Sequence, residues 1–423
     1  MKIKLKTVLQ QVPFLLVLCV LACQQQIPEK AQWQGTAELA ENKTLSFQLS
    51  LDLSGTNPSG NFIVGDEKIP IPEISHHGDS LSFIFSEYGA AMRGRWSGGN
   101  WSGLYLRYRS DTTSFAFSAH PVASARVNPG SAAQSGIPLV GTYQVYFQRD
   151  NAIDSSTTAR FWLKSDSVYG TFIAPDGDYG LHVGAQQGGV VRLSRFTGWQ
   201  AMMIELTQQQ GTWTGKHYVR KELPRSFRLE NRPSFSEEAL GPRHAEIINP
   251  RAPFSFAGAR LNGDTLRSTD PSLDGKVLIV DIMGTWCHNC MDESPLLQQL
   301  YSEFHKDGLE IVGLSFELKD DFDLAKKNLA LYRDRYGITF PLLYCGTTDD
   351  GNVNQRLRSQ IKDFFAYPTA LFIDRGRKVR FVHSGFKGPG TGDQFQTQIQ
   401  EFYGMVKSLL TEQQPRRRSG TSP

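Results

Sequence analysis

A continuous apolar run, Val277-Leu278-Ile279-Val280-Asp281-Ile282-Met283, leads without a break into Gly284-Thr285-Trp286-Cys287-His288-Asn289-Cys290. A strand with no polar alternation is buried on both faces, which calls for a mixed or parallel sheet covered by helices. Leu296, Leu297, Leu300, Tyr301 and Phe304 then recur at helical spacing. The two cysteines therefore sit where a buried strand turns into the first turn of a helix.

That junction suits dithiol chemistry. The unpaired amides and positive dipole end of a helix stabilise a thiolate, which makes the first cysteine the attacking group near neutral pH. Cys290, three residues on, shares its helix face and can attack a mixed disulfide formed at Cys287. The pair must be open enough to meet a substrate. A Cys-x-x-Cys can also hold half of a structural zinc site, but no second ligand pair stands at suitable spacing. The chemistry requires neither a metal nor an organic cofactor.

Trp286-Cys287-x-x-Cys290 after a buried strand resembles the thioredoxin superfamily, specifically its extracytoplasmic TlpA/ResA-like thiol-disulfide oxidoreductases, over residues 250–411. The resemblance implies several further site residues. Asp281, six residues before Cys287, falls where thioredoxins keep a buried acid that takes the resolving thiol's proton. Glu293-Ser294-Pro295 matches the Glu-x-Pro of the TlpA/ResA-like active-site helix, so Asp281 and Glu293 are both expected general bases for Cys290. Tyr367-Pro368-Thr369 and the apolar run that follows match the family's stretch around its cis-proline. A cis bond at Pro368 would turn the Tyr367 backbone outward beside Cys287 and Trp286, to pair with an extended substrate. One departure from the family concerns His288 and Asn289, since many relatives carry a proline before the second cysteine. A cationic His288 would favour the reduced form, placing the pair between thioredoxin at about −270 mV and DsbA at about −120 mV.

From about Gln32 to Arg220 the language changes to short alternating runs such as Thr44-Leu45-Ser46-Phe47-Gln48-Leu49-Ser50-Leu51, bounded by turn residues. This half repeats itself. Gly35-Thr36, Gly60-Asn61-Phe62-Ile63 and Gly99-Asn100-Trp101-Ser102-Gly103 recur in order as Gly141-Thr142, Gly170-Thr171-Phe172-Ile173 and Gly211-Thr212-Trp213-Thr214-Gly215. Each copy has room for about seven or eight short strands. Its repeated Trp-x-Gly is read as a packing and turn device, and Asp176-Gly177-Asp178 lacks the later carboxylates of a calcium loop.

The expected architecture is multidomain: two antiparallel all-β units, barrel or sandwich, followed by an α/β thioredoxin-like domain. The boundaries read as a leader at 1–22, β unit one at 30–120, a linker at 121–138, β unit two at 139–235, the thioredoxin-like domain at 250–411 and a disordered tail at 412–423. The leader has Lys2, Lys4 and Lys6, an apolar run from Val12 to Ala22, and then Cys23. Its apolar run is too short to span a membrane. Val20-Leu21-Ala22-Cys23 resembles the lipobox of bacterial lipoproteins, so Cys23 is the expected lipidation site and the only expected membrane attachment. The leader's three lysines account for the whole formal charge of +3. A neutral mature chain has no footprint for nucleic acid.

The expected function is that of an envelope-anchored, periplasm-facing protein disulfide reductase, acting by Cys287 attack and Cys290 resolution. Its expected partners are protein thiols or disulfides and, by resemblance, a membrane reductase of the DsbD/CcdA kind. Two alternatives stay open: an oxidase or isomerase on the same dithiol, and a ligand-binding lipoprotein whose β half carries the function.

Overall fold

The structure is a computed structural model that describes residues 26–108, 112–123, 137–149, 152–219, 223–232 and 245–412. The leader with Cys23, most of the expected linker and the tail from residue 413 lie outside the described residues.

The amino-terminal half forms two β-meanders of nine strands each. In the first, the strand Lys30–Ala40 pairs with both Lys43–Asp52 and Thr112–Val122. This sheet forms an open barrel, the first barrel below, whose end strands Glu67–Pro70 and Glu73–His77 do not pair with each other. In the second, Ala152–Lys164 pairs with both Gly141–Arg149 and Ser167–Ala174, which closes eight strands into a barrel. The ninth, Gly177–Asp178, hangs on Ser167–Ala174. Nine strands stand where seven or eight were expected, because strands as short as Glu67–Pro70 and Gly177–Asp178 carry no readable alternation.

The three repeated landmarks occupy the first, third and eighth strand of each meander. Strand alternation sends every second side chain inward, as in Ser80–Phe85, where Leu81, Phe83 and Phe85 are buried. Inside, Trp101 packs between Phe83 at 4.7 Å and Phe117 at 4.4 Å and donates its indole N–H to the Leu81 carbonyl. The Trp-x-Gly glycine is required by close approach, since a Cβ on Gly103 would lie 2.0 Å from the Arg93 carbonyl oxygen.

A loop of the second barrel joins the two. Phe196 enters the first barrel and meets Phe47 at 5.0 Å and Phe62 at 5.2 Å. Gly198 then turns with φ +87°, where a Cβ would strike Phe85. Beside the loop, Arg195 is 2% exposed and pairs with Glu67 at 2.8 Å. This plug fixes the position of the next residue, Trp199.

The third domain has a seven-stranded mixed sheet. Its order is Thr265–Arg267, Ala257–Ala259, Leu342–Thr347, Leu309–Glu317, Val277–Met283, Thr369–Ile373 and Val379–Ser384. The strands Leu342–Thr347, Leu309–Glu317 and Val277–Met283 run parallel. Val277–Met283 is buried throughout. Val277, Ile279 and Met283 join the core under the helices His288–Phe304 and Asp393–Thr411, while Leu278, Val280 and Ile282 join the core on the opposite face. Apolar packing continues from the first barrel through Phe196 and Met203 to Cys290 and Leu297. No helix among the described residues is long and apolar enough to cross a membrane.

Phe196→Ala should cost about 3 to 5 kcal/mol, the range for truncating a buried phenylalanine. Denaturant unfolding of the full chain measures it. A loss below about 1 kcal/mol would mean that the plug does not hold the two barrels together.

Candidate functional site

The strand Val277–Met283 ends at Gly284, where a Cβ would lie 2.4 Å from the Trp286 indole nitrogen. The turn that follows is pinned at two points. Glu317 accepts the Thr285 amide at 3.1 Å and the Thr285 hydroxyl at 2.7 Å, and Trp286 Nε1 donates to the Phe316 carbonyl at 2.8 Å. Cys287 is thereby set at the N-cap of the helix His288–Phe304, with its Sγ accepting the Cys290 amide at 3.1 Å. Cys287 and Cys290 form a disulfide with a Cα–Cα distance of 5.3 Å. The structure is thus the oxidised state of a pair placed where helix amides and dipole favour a thiolate.

Asp281, on the strand Val277–Met283, and Glu293, within the helix, are both buried. Alternation along its strand puts Asp281 on the face of Val277, Ile279 and Met283, toward the helix, and Glu293 lies one turn beyond Cys290. The two carboxyls lie close enough to hydrogen-bond to each other when one of them is protonated. Burial pushes Asp281 up to about 7. Burial, reinforced by the Asp281 charge, pushes Glu293 well above the carboxylate range. Two carboxyls in one apolar site hold a proton near neutral pH, which suits them to take and return the proton of the second thiol.

The surroundings of His288 oppose the cationic ring expected there. Burial, then the Arg195 charge and the His182 ring, push its pKa well below the ordinary value, so the ring is neutral at pH 7. Trp199 covers it at 5.7 Å and stacks on Tyr88 of the first barrel at 4.5 Å. The electrostatic reason for a less reducing pair therefore falls away.

Asn289 donates to the Asp176 carbonyl at 3.1 Å, which ties the active-site helix to the second barrel. Asp178, His288 and Asp292 each bring one ligand atom within 4.8 Å of the others. Asp178 already accepts from Thr171, Gly180 and the Gly388 amide, the last at 2.7 Å, so its carboxyl serves as a clasp between domains.

Trp286 and Tyr367 meet edge to face at 5.4 Å, and the Tyr367–Pro368 peptide is cis. Both rings line a cavity of about 490 Å³ with Cys287 and His288. Much of its remaining wall comes from the two barrels. Cys287 is 4% exposed and Cys290 1%, so the dithiol is far less open than expected. Cys345 is a buried free thiol pushed by burial up to about 12, an inert hydrophobe.

Sequence reasoning missed Glu317, Tyr88, Trp199, Asp178 and Asp292. Only Asp292, two residues beyond Cys290, stood close enough in sequence to be noticed. The others arrive through tertiary contacts with distant segments.

Residues 248–382 match the AhpC/TSA family model. The thiol-disulfide oxidoreductase ResA of Bacillus thuringiensis (strain Al Hakam) is 34% identical over 95 residues, covering 22% of this chain and 50% of that protein. ResA of Geobacillus thermodenitrificans (strain NG80-2) is 27% identical over 144 residues, covering 33% of this chain and 71% of that protein. The chain thus spans about half the length of the first of these relatives. A solved structure of a thioredoxin-family thiol:disulfide interchange protein from Chlorobium tepidum TLS matches at 25% identity. Its TM-score is 0.29, and the match covers 38% of this chain and 94% of that one. The carboxy-terminal domain is similar to TlpA/ResA-like proteins of the thioredoxin superfamily.

The raised pKa values of Asp281 and Glu293 carry a sign for stability. The folded state holds protons that the unfolded chain releases, so stability falls as pH rises from about 4 toward 7 and beyond. Asp281→Asn should therefore raise the thermal midpoint by several degrees at pH 8 and hardly at all at pH 4. It should also slow the Cys290 step about a hundredfold. Thermal unfolding at the two pH values and stopped-flow exchange check both, and an equal shift at each pH would contradict the assignment.

Proposed function

We propose that the chain, TlpA/ResA-like in its third domain, is a thiol-disulfide oxidoreductase that runs as a disulfide reductase. The Cys287 thiolate attacks a substrate disulfide, forming the mixed disulfide and releasing one substrate thiol. Cys290, deprotonated by the Asp281–Glu293 pair, then attacks Cys287 Sγ, releases the second substrate thiol and leaves the intramolecular disulfide. One observation carries this reading: Cys287 Sγ caps the helix and is already bonded to Cys290.

The lowered pKa of His288 removes one cation that would stabilise the thiolate, which favours the reducing direction over an oxidase. The carboxylates, Trp286, Tyr367 and Pro368 keep the roles expected for them. A Cys23 lipid anchor would hold the protein at the periplasmic face of a bacterial envelope membrane. A membrane dithiol partner of the DsbD/CcdA kind would return the oxidised pair to the dithiol, since glutathione does not buffer that compartment. Substrates are disulfides of proteins or peptides outside the cytoplasm.

Trapping tests the reading. Cys290→Ser should accumulate mixed disulfides through Cys287, visible on non-reducing gels, while Cys287→Ser should trap none and lose turnover. Equal behaviour of wild type and both variants would leave a ligand-binding lipoprotein as the better account.

A further inference from the structure

The β half covers the dithiol with specific bonds. Glu87, between Ser86 and Tyr88 in the first barrel, forms a buried ion pair at 3.0 Å with Arg335 of the third domain. The Tyr88 hydroxyl donates to Met291 Sδ at 2.8 Å. From the second barrel, Gly177 forms a parallel bridge with Phe386, and Asp178 accepts the Gly388 amide. These four contacts hold the two barrels against the third domain as a lid over the dithiol.

Beneath that lid lies the 490 Å³ cavity, with Cys287 in its wall. Aromatic rings from all three parts line it: Tyr88 and Tyr105 from the first barrel, Tyr179 and Trp199 from the second, Trp286 and Tyr367 from the third domain. Its volume falls within the range of about 300 to 1,000 Å³ of a small-molecule site, and Arg107, Asp178 and Arg225 add polar groups to the wall. A folded protein partner instead needs about 800 Å² of open surface on each side.

We propose that substrate disulfides reach Cys287 inside this chamber as a short, unfolded cysteinyl peptide packed against its aromatic wall, and that the barrels exclude folded protein surfaces. The inference rests on the reductase reading of Cys287 and Cys290 and names its substrate class. The exchange balances within it. The reduced enzyme gives two electrons and two protons to the peptide disulfide, yielding two peptide thiols and the Cys287–Cys290 disulfide. A dithiol donor then restores the enzyme. The peptide unit has two sources, a free small peptide or a mobile segment of a longer chain.

Full-length protein, reduced with dithiothreitol and desalted, is mixed with three disulfides: oxidised glutathione, an unfolded polypeptide carrying one disulfide, and native insulin. Enzyme oxidation is followed by stopped flow. Glutathione or the unfolded chain should react about a hundredfold faster than insulin, the scale on which a displaced reacting atom costs rate. The faster of the two identifies the source. Trp199→Ala and, separately, Tyr88→Ala should raise the insulin rate relative to the faster peptide substrate. Insulin reacting as fast as both peptide substrates in the wild type would overturn the chamber while leaving the dithiol reading intact. No reaction with any of the three would instead count against the reductase reading itself.

Discussion

The structure depends on one helix amino terminus. Cys287 caps the helix His288–Phe304 with its sulfur, and everything around it serves to keep that sulfur there. The buried strand delivers the chain, Glu317 and the Phe316 carbonyl fix the turn, and Asp281 and Glu293 wait beneath Cys290. A helix end offers unpaired amides at no extra conformational cost, so a thiolate placed there is stabilised by backbone that the fold already requires.

The β half acts on this terminus from outside. Phe196 is anchored in the first barrel, Gly198 makes the turn, and Trp199 is carried over His288. The same packing removes solvent from His288 and brings Arg195 near enough to disfavour its charge. Covering the site and setting the protonation of its neighbour are two results of one docking event. The ion pair Arg335–Glu87 belongs to the same interface: with both partners shielded from solvent, breaking it would strand a buried charge.

Much of the third domain was legible in the sequence because its signals are local. The unbroken run Val277–Met283 could only be a strand with two covered faces, and its side chains do divide between two cores. The apolar spacing from Phe395 to Leu409 reads directly as the closing helix Asp393–Thr411. Closure of the barrel was not legible. A sandwich strand and a barrel strand show the same alternation, and only the pairing of Ala152–Lys164 with both neighbours separates them. The charge of His288 failed for a related reason: the residues that neutralise it stand about a hundred positions upstream, on another domain. The cover over the dithiol was invisible from the motif for the same cause.

Thiol exchange at this site requires Cys287, and not Cys290, to be the group presented for attack. The most direct measurement treats the reduced full-length protein with limiting iodoacetamide, quenches it, and locates the label by peptide mass spectrometry. Cys287 should carry nearly all of the early label, with Cys290 protected under the helix. Preferential labelling of Cys290, or equal labelling of both, would contradict the assignment of the helix-capping sulfur as the nucleophile.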